Sequence, residues 1–139
     1  MQSLSDDIIL ALEDHAATFS IPNLTVRDPY DETKKDYPYV VVHEIVNVPQ
    51  NHGTVNGETR TILAYQLDIY TTNCVDTDSL VLTAYKAGRR LVGEIDAVLD
   101  GELKLTRRTI HHERIGADVI RHIVRGECVL ESSGYTYRL

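Results

Sequence analysis

Apolar residues in the segment 4–19 recur at helical spacing: Leu4, Ile8, Leu12 and Phe19 fall near one face, and Ile9, Ala16 and Ala17 widen it. Ser3 or Ser5 is placed to cap this helix, and Asp6 and Asp7 suit its first turn. Ser20-Ile21-Pro22 marks its end. Residues 23–36 contain Pro29 and several charges and read as a connection, with one short extended stretch near Leu24 to Arg27, suited to reach a neighbouring subunit. The pattern then changes from helical to strand-like. Residues 37–46 are rich in aromatic and β-branched side chains, with Pro38 confined to the strand's beginning. Along 61–70, Leu63, Tyr65, Leu67 and Ile69 alternate with Ala64, Gln66 and Asp68, so one face is core and the other mostly polar.

The stretch 47–60, with Pro49, Gly53 and the Asn56-Gly57 pair, is long for a hairpin connection and reads as a projecting arm or loop. A second helix is expected from a cap at Asp76 or Thr77 to about Leu99, turning Leu80, Ala84, Ala87 or Gly88, Leu91, Ile95 and Val98 inward. Gly88 and Gly93 weaken it locally and permit close packing on the sheet, and Asp100-Gly101 ends it. Residues 102–110 and 117–130 read as two further strands, the latter placing Ile120, His122, Val124, Cys128 and Leu130 opposite Arg121, Arg125 and Glu127. Residues 132–139 read as a short flexible tail. The predicted fold is one α+β domain over 1–139: a mainly antiparallel four-stranded sheet, two helices packed on one face, and a long β-hairpin arm.

At 139 residues, two independent cores are improbable on size alone, and no internal repeat interrupts the single-domain pattern. Charge divides unevenly, with 11 acidic and 4 basic residues in 1–70 against 10 of each in 71–139, so any anion-binding surface belongs to the second half. The formal charge of -7 argues against a non-specific nucleic-acid coat. Cys74 and Cys128 match neither a disulfide scaffold nor a zinc site and read as free thiols. Without a basic-then-apolar leader or a run of about 20 apolar residues, a soluble, unexported protein with no membrane contact is expected.

Catalytic patterns are sparse. His111-His112-Glu113 is the only compact cluster, and in an extended chain His111 and Glu113 share a face while His112 points away, so it supplies no adjacent pair of metal ligands. His15, His43, His52 and His122 are scattered along the chain, and Asp96, Asp100 and Glu102 suit a solvated helix end. No phosphate-cradling loop or nucleophile elbow is present, so neither a cofactor nor an enzymatic activity is expected. The basic residues Arg89, Arg90, Lys104, Arg107, Arg108, Arg114, Arg121 and Arg125 are of more interest, because Arg121 and Arg125 share a strand face and Arg107 belongs to its neighbour. Such residues suit an ordinary solvated face, an acidic neighbouring subunit or a phosphate backbone.

YPYVVVHEIVNVP at 37–49, ETRTILAYQLDIYT at 58–71, the long amphipathic helix and the strand at 121–130 together resemble the tail-terminator or tail-completion proteins of long-tailed bacterial viruses and prophages. These are also described as head-tail joining or minor capsid proteins. The resemblance spans most of the chain and rests on the order and spacing of elements, not on a catalytic fingerprint. It implies a non-enzymatic virion component that assembles in the host cytoplasm and occupies the head-proximal end of the tail. Its implied partners are further copies of itself, as a homohexameric ring, the tail tube protein, and the head connector or head-completion protein. DNA passes only transiently through the lumen, where an acidic inward face would keep it from adhering. The resemblance assigns contact roles to Tyr37, Tyr39 and the 47–60 arm, including Asn51, His52 and Asn56, and to Arg107, Arg121 and Arg125. The alternatives are a head-side closure or neck protein, a small hydrolytic enzyme using His111, Glu113 and His122, and a monomeric binding module of the host.

Overall fold

The computed structural model describes residues 3–30, 36–50 and 60–131. Helix α1, Leu4–His15, starts where expected because Ser3 closes a capping box with Asp6: the Ser3 hydroxyl accepts from the Asp6 amide, and the Asp6 carboxylate accepts from the Ser3 amide. A short 3-10 turn, Ala16–Thr18, follows it. The Glu94 carboxylate then accepts hydrogen bonds from both the amide and the hydroxyl of Ser20, anchoring the chain leaving α1 to the second helix.

Seven strands follow in chain order, interrupted by that helix: β1 Thr25–Arg27, β2 Tyr39–Gln50, β3 Arg60–Thr72, β4 Cys74–Val75, β5 Val81–Leu82, then α2 Ala84–Leu103, β6 Thr106–Arg114 and β7 Val119–Glu131. Five of them form the main sheet in the order β1-β2-β3-β7-β6. The fold is α+β and its sheet mainly antiparallel as predicted, but the sheet has five strands instead of four and is mixed. The difference is β1, which pairs in parallel with β2 from Thr25↔Tyr39 to Arg27↔Val41. Three residues are too few to display an alternation, and their partner lies across a crossover, so the local pattern carries no trace of the pairing.

Helix α2 begins later than its pattern suggests. Asp76 organises a tight turn in which its carboxylate accepts from the amides of Asp78 and Leu80 and from Arg90, while its own amide donates to the Leu80 carbonyl. These bonds, the Leu80 amide foremost, hold the Asp76 carboxyl below its ordinary range. The turn joins β4 to β5 and moves the cap to Thr83, so Leu80, expected inside, is 53% exposed. The helix also runs past Gly101, ending at Lys104, which adopts the left-handed conformation at φ 56° while the Leu105 amide returns to the Leu99 carbonyl.

Both helices lie against the same sheet face. Leu4, Ile8 and Leu12 of α1 and Leu91, Ile95 and Leu99 of α2 meet Val40, Val42, Tyr65, Leu67, Ile69 and Val124 in one buried core. Where the arm is expected to begin, β2 and β3 remain paired through Gln50↔Arg60, and β7 accompanies them to Arg60↔Glu131. Because β6 first pairs with β7 at Thr106↔Glu127, the ladder beyond that point is three strands wide. The extension is therefore a three-stranded tongue, not a simple hairpin. The remainder of the arm and the 132–139 segment lie outside the described residues.

Candidate interface on the open sheet face

Alternation along the strands sends every second side chain to the face opposite the helices. There, register aligns Tyr39, Tyr70, Arg121 and Glu113 in one row across four strands, Val41, Asp68, Ile123 and His111 in the next, and His43, Gln66, Arg125 and Thr109 in the third. Asp68 stands at the centre. It is only 3% exposed although no described helix covers this face, because the side chains around it close over it.

Its hydrogen bonds account for the arrangement. Asp68 Oδ2 accepts from Arg121 Nη2 at 2.8 Å and from His43 Nε2 at 3.1 Å, while Oδ1 accepts from Gln66 Nε2 at 3.0 Å. The Gln66 carbonyl oxygen in turn accepts from Arg125 Nε at 2.8 Å, which fixes the orientation of the amide. Arg121 also reaches Glu113, Nη1 to Oε2, at 3.4 Å. The partners raise the Arg121 guanidinium's pKa further, chiefly through its hydrogen bond to Asp68. Four strands are thus cross-linked by side chains as well as by backbone, which stiffens this face.

The aromatic residues continue this face at one end. Tyr37 stacks on Tyr39 with ring centroids 5.5 Å apart, and Tyr39 on Tyr70 at 4.5 Å. Burial raises the hydroxyl pKa of both Tyr39 and Tyr70. Of the expected contact residues, Tyr37, Tyr39, Arg121 and Arg125 therefore share one surface. Asn51, His52 and Asn56 lie outside the described residues.

Arg107 is separated from the other two arginines. It is on the neighbouring strand as anticipated, but a bulge between Arg107 and Thr109 inserts Arg108 and reverses the alternation, so Arg107 pairs with inward-facing Gly126. Its Nε donates to Asp96 of α2 at 3.1 Å. Asp96 is consequently more than part of a solvated helix end, and burial raises its carboxyl pKa against the effect of Arg107. The remaining basic residues are similarly dispersed: Arg90 pairs with Asp76, Arg108 with Glu127, and Arg114 donates to the Ala117 carbonyl. The anticipated basic group does not converge into one phosphate-binding strip.

The histidines divide between the faces. His111 and Glu113 point outward, whereas His112 turns inward to His122, with the two Nδ1 atoms 2.8 Å apart. Two surface hollows of ≈ 320 and ≈ 330 Å³ are lined by residues including Arg27 and Glu13 in one, and Tyr85 and Arg114 in the other; neither lining includes His111, Glu113 or His122. The three residues of the hydrolytic alternative do not converge. Among the described residues no group of three or more His, Cys, Asp or Glu side chains is placed to hold a metal ion, and no helix is long and apolar enough to cross a membrane.

Sequence reasoning overlooked Asp68, Gln66, His43 and Tyr70. The outward phase of β3 was visible as alternation, and a charged residue centred in such a strand was the available signal. No protein-family model matches the chain, and no curated protein matches it significantly.

Proposed function

We propose that this protein is a structural component of a long-tailed bacterial virus that caps the completed tail tube, stops its elongation and presents a docking platform for the head. The proposal takes the family resemblance as its starting point, and the observation that carries it furthest is the open sheet face. A charged network locked across four strands, edged by stacked tyrosines and continuous with a three-stranded tongue, suits a surface that must meet another protein in one orientation. Tyrosine and arginine at such a surface supply apolar contact and directional hydrogen bonds together. The pairing of Arg90, Arg107, Arg108 and Arg121 with carboxylates supports transient passage of DNA over retention of it. Binding energy performs the work, within a ring of like subunits.

Electron cryo-microscopy of purified tails incubated with the labelled protein tests this. Label at the head-proximal end, with the spread of tube lengths narrowed, is the expected result. Binding to connector-bearing heads and absence from tubes would replace tail termination with neck closure.

A further inference from the structure

His122 is fully buried on the helix-facing side of β7, and its hydrogen bonds leave little freedom in where its protons reside. The Thr71 hydroxyl, on β3, donates its single proton to the Ala84 carbonyl at 2.6 Å. Thr71 Oγ1 must then accept from His122 Nε2, 2.9 Å away. Neutral His122 consequently has a bare Nδ1, and the proton between the two rings belongs to His112 Nδ1. The chain has one direction: His112 to His122 to Thr71 to the first residue of α2.

This arrangement distinguishes a first added proton from a second. The first enters at His112 Nε2, which makes no bond in the chain, and preserves every donor and acceptor. The second must enter at His122 Nδ1, placing two N–H groups against each other at 2.8 Å. His122 has no space to withdraw toward the helix, where Gly88 packs on its ring. His112 is on β6, which among the described strands lies at the sheet edge with β7 as its one neighbour, and is the partner free to move.

We propose that His112 and His122 form an acid-sensitive latch that tolerates one proton and is opened by the second, releasing β6 and the first turns of α2 from the sheet. Charged, titratable and polar groups face the pair from α2, β6 and β3. Burial, then Arg89 of α2 and His111 of β6, disfavour positive charge on His112, Tyr85 of α2 meets its ring edge-on with centroids 4.9 Å apart, and Thr71 is the polar partner from β3 of the buried His122. Burial pushes His122 down to about 4, with His112 and Arg89 adding to the effect against the opposing Ala84 carbonyl.

Nuclear magnetic resonance of the full chain, following imidazole nitrogens and amide exchange from about pH 7.5 to about pH 4, tests the latch. At the upper limit His112 is expected as the Nδ1–H tautomer and His122 as the Nε2–H tautomer. On acidification, amides in β6 and the start of α2 are expected to lose roughly tenfold or more of their protection before those of the β2–β3 ladder. In His112→Asn the amide can turn its oxygen toward protonated His122, so the early local loss should disappear. A His112 Nε2–H tautomer at neutral pH, no local loss, loss simultaneous with every other strand, or the same local loss in His112→Asn would each overturn the proposal. Should His112→Asn fail to fold, the tautomers and exchange order of the unaltered chain decide it.

Discussion

Gly88 and His122 share one slot: a β-carbon on Gly88 would stand 1.7 Å from His122 Nε2. Helix propensity alone would make Gly88→Ala stabilising by about 1 kcal/mol. The overlap is with a buried ring held by hydrogen bonds at two nitrogens, which cannot yield cheaply. Gly88→Ala is therefore expected to destabilise the fold by about 1–3 kcal/mol in urea denaturation. A stabilised variant would show that α2 does not approach β7 this closely.

Asp68 satisfies donors from three other residues while almost wholly withdrawn from solvent. Replacing it with Ala leaves Arg121 and His43 without that acceptor, and the expected loss is about 1–3 kcal/mol, moderated because both partners retain access to water. In a double-mutant cycle with Arg121→Ala, a coupling of about 1 kcal/mol is expected. Additive losses would mean that the network is not energetically joined.

Acid should weaken the fold through His122. Its folded value of about 4 lies below its ordinary 6.5, so the native state favours the neutral ring and the unfolded chain takes up the proton first. The resulting stability is present above the ordinary value, declines as pH falls below it, and is lost beneath the folded value. It amounts to roughly 3 kcal/mol. Urea midpoints measured across this window should fall more steeply for the unaltered chain than for His122→Leu, which lacks the titrating group. Equal slopes would assign the acid sensitivity elsewhere.

Arg125 is exposed on the open face, with Gln66 as its hydrogen-bond partner. Arg125→Glu is expected to change stability by no more than about 0.5 kcal/mol while strongly reducing attachment to tail tubes. Unchanged attachment in a sedimentation assay would remove this part of the sheet from the proposed contact.

The strands of 61–70 and 117–130 were legible because inward and outward side chains alternate with every residue, a consequence of backbone geometry that needs no distant partner. The capped first helix and the apolar stripe of the second were legible for the same reason. From the chain alone came an α+β domain and the four expected contact residues now found on one surface. Tertiary structure decided the remainder. β1 acquired its identity only by pairing with β2, and the bulge beside Arg108 turned Arg107 away from Arg121 and Arg125. Asp68 became buried because register set β2 and β7 on either side of β3, and His112 met His122 because the β6–β7 register placed them opposite each other. Periodicity is a local property of the backbone, whereas burial on an open face and the direction of a proton chain depend on which strands become neighbours.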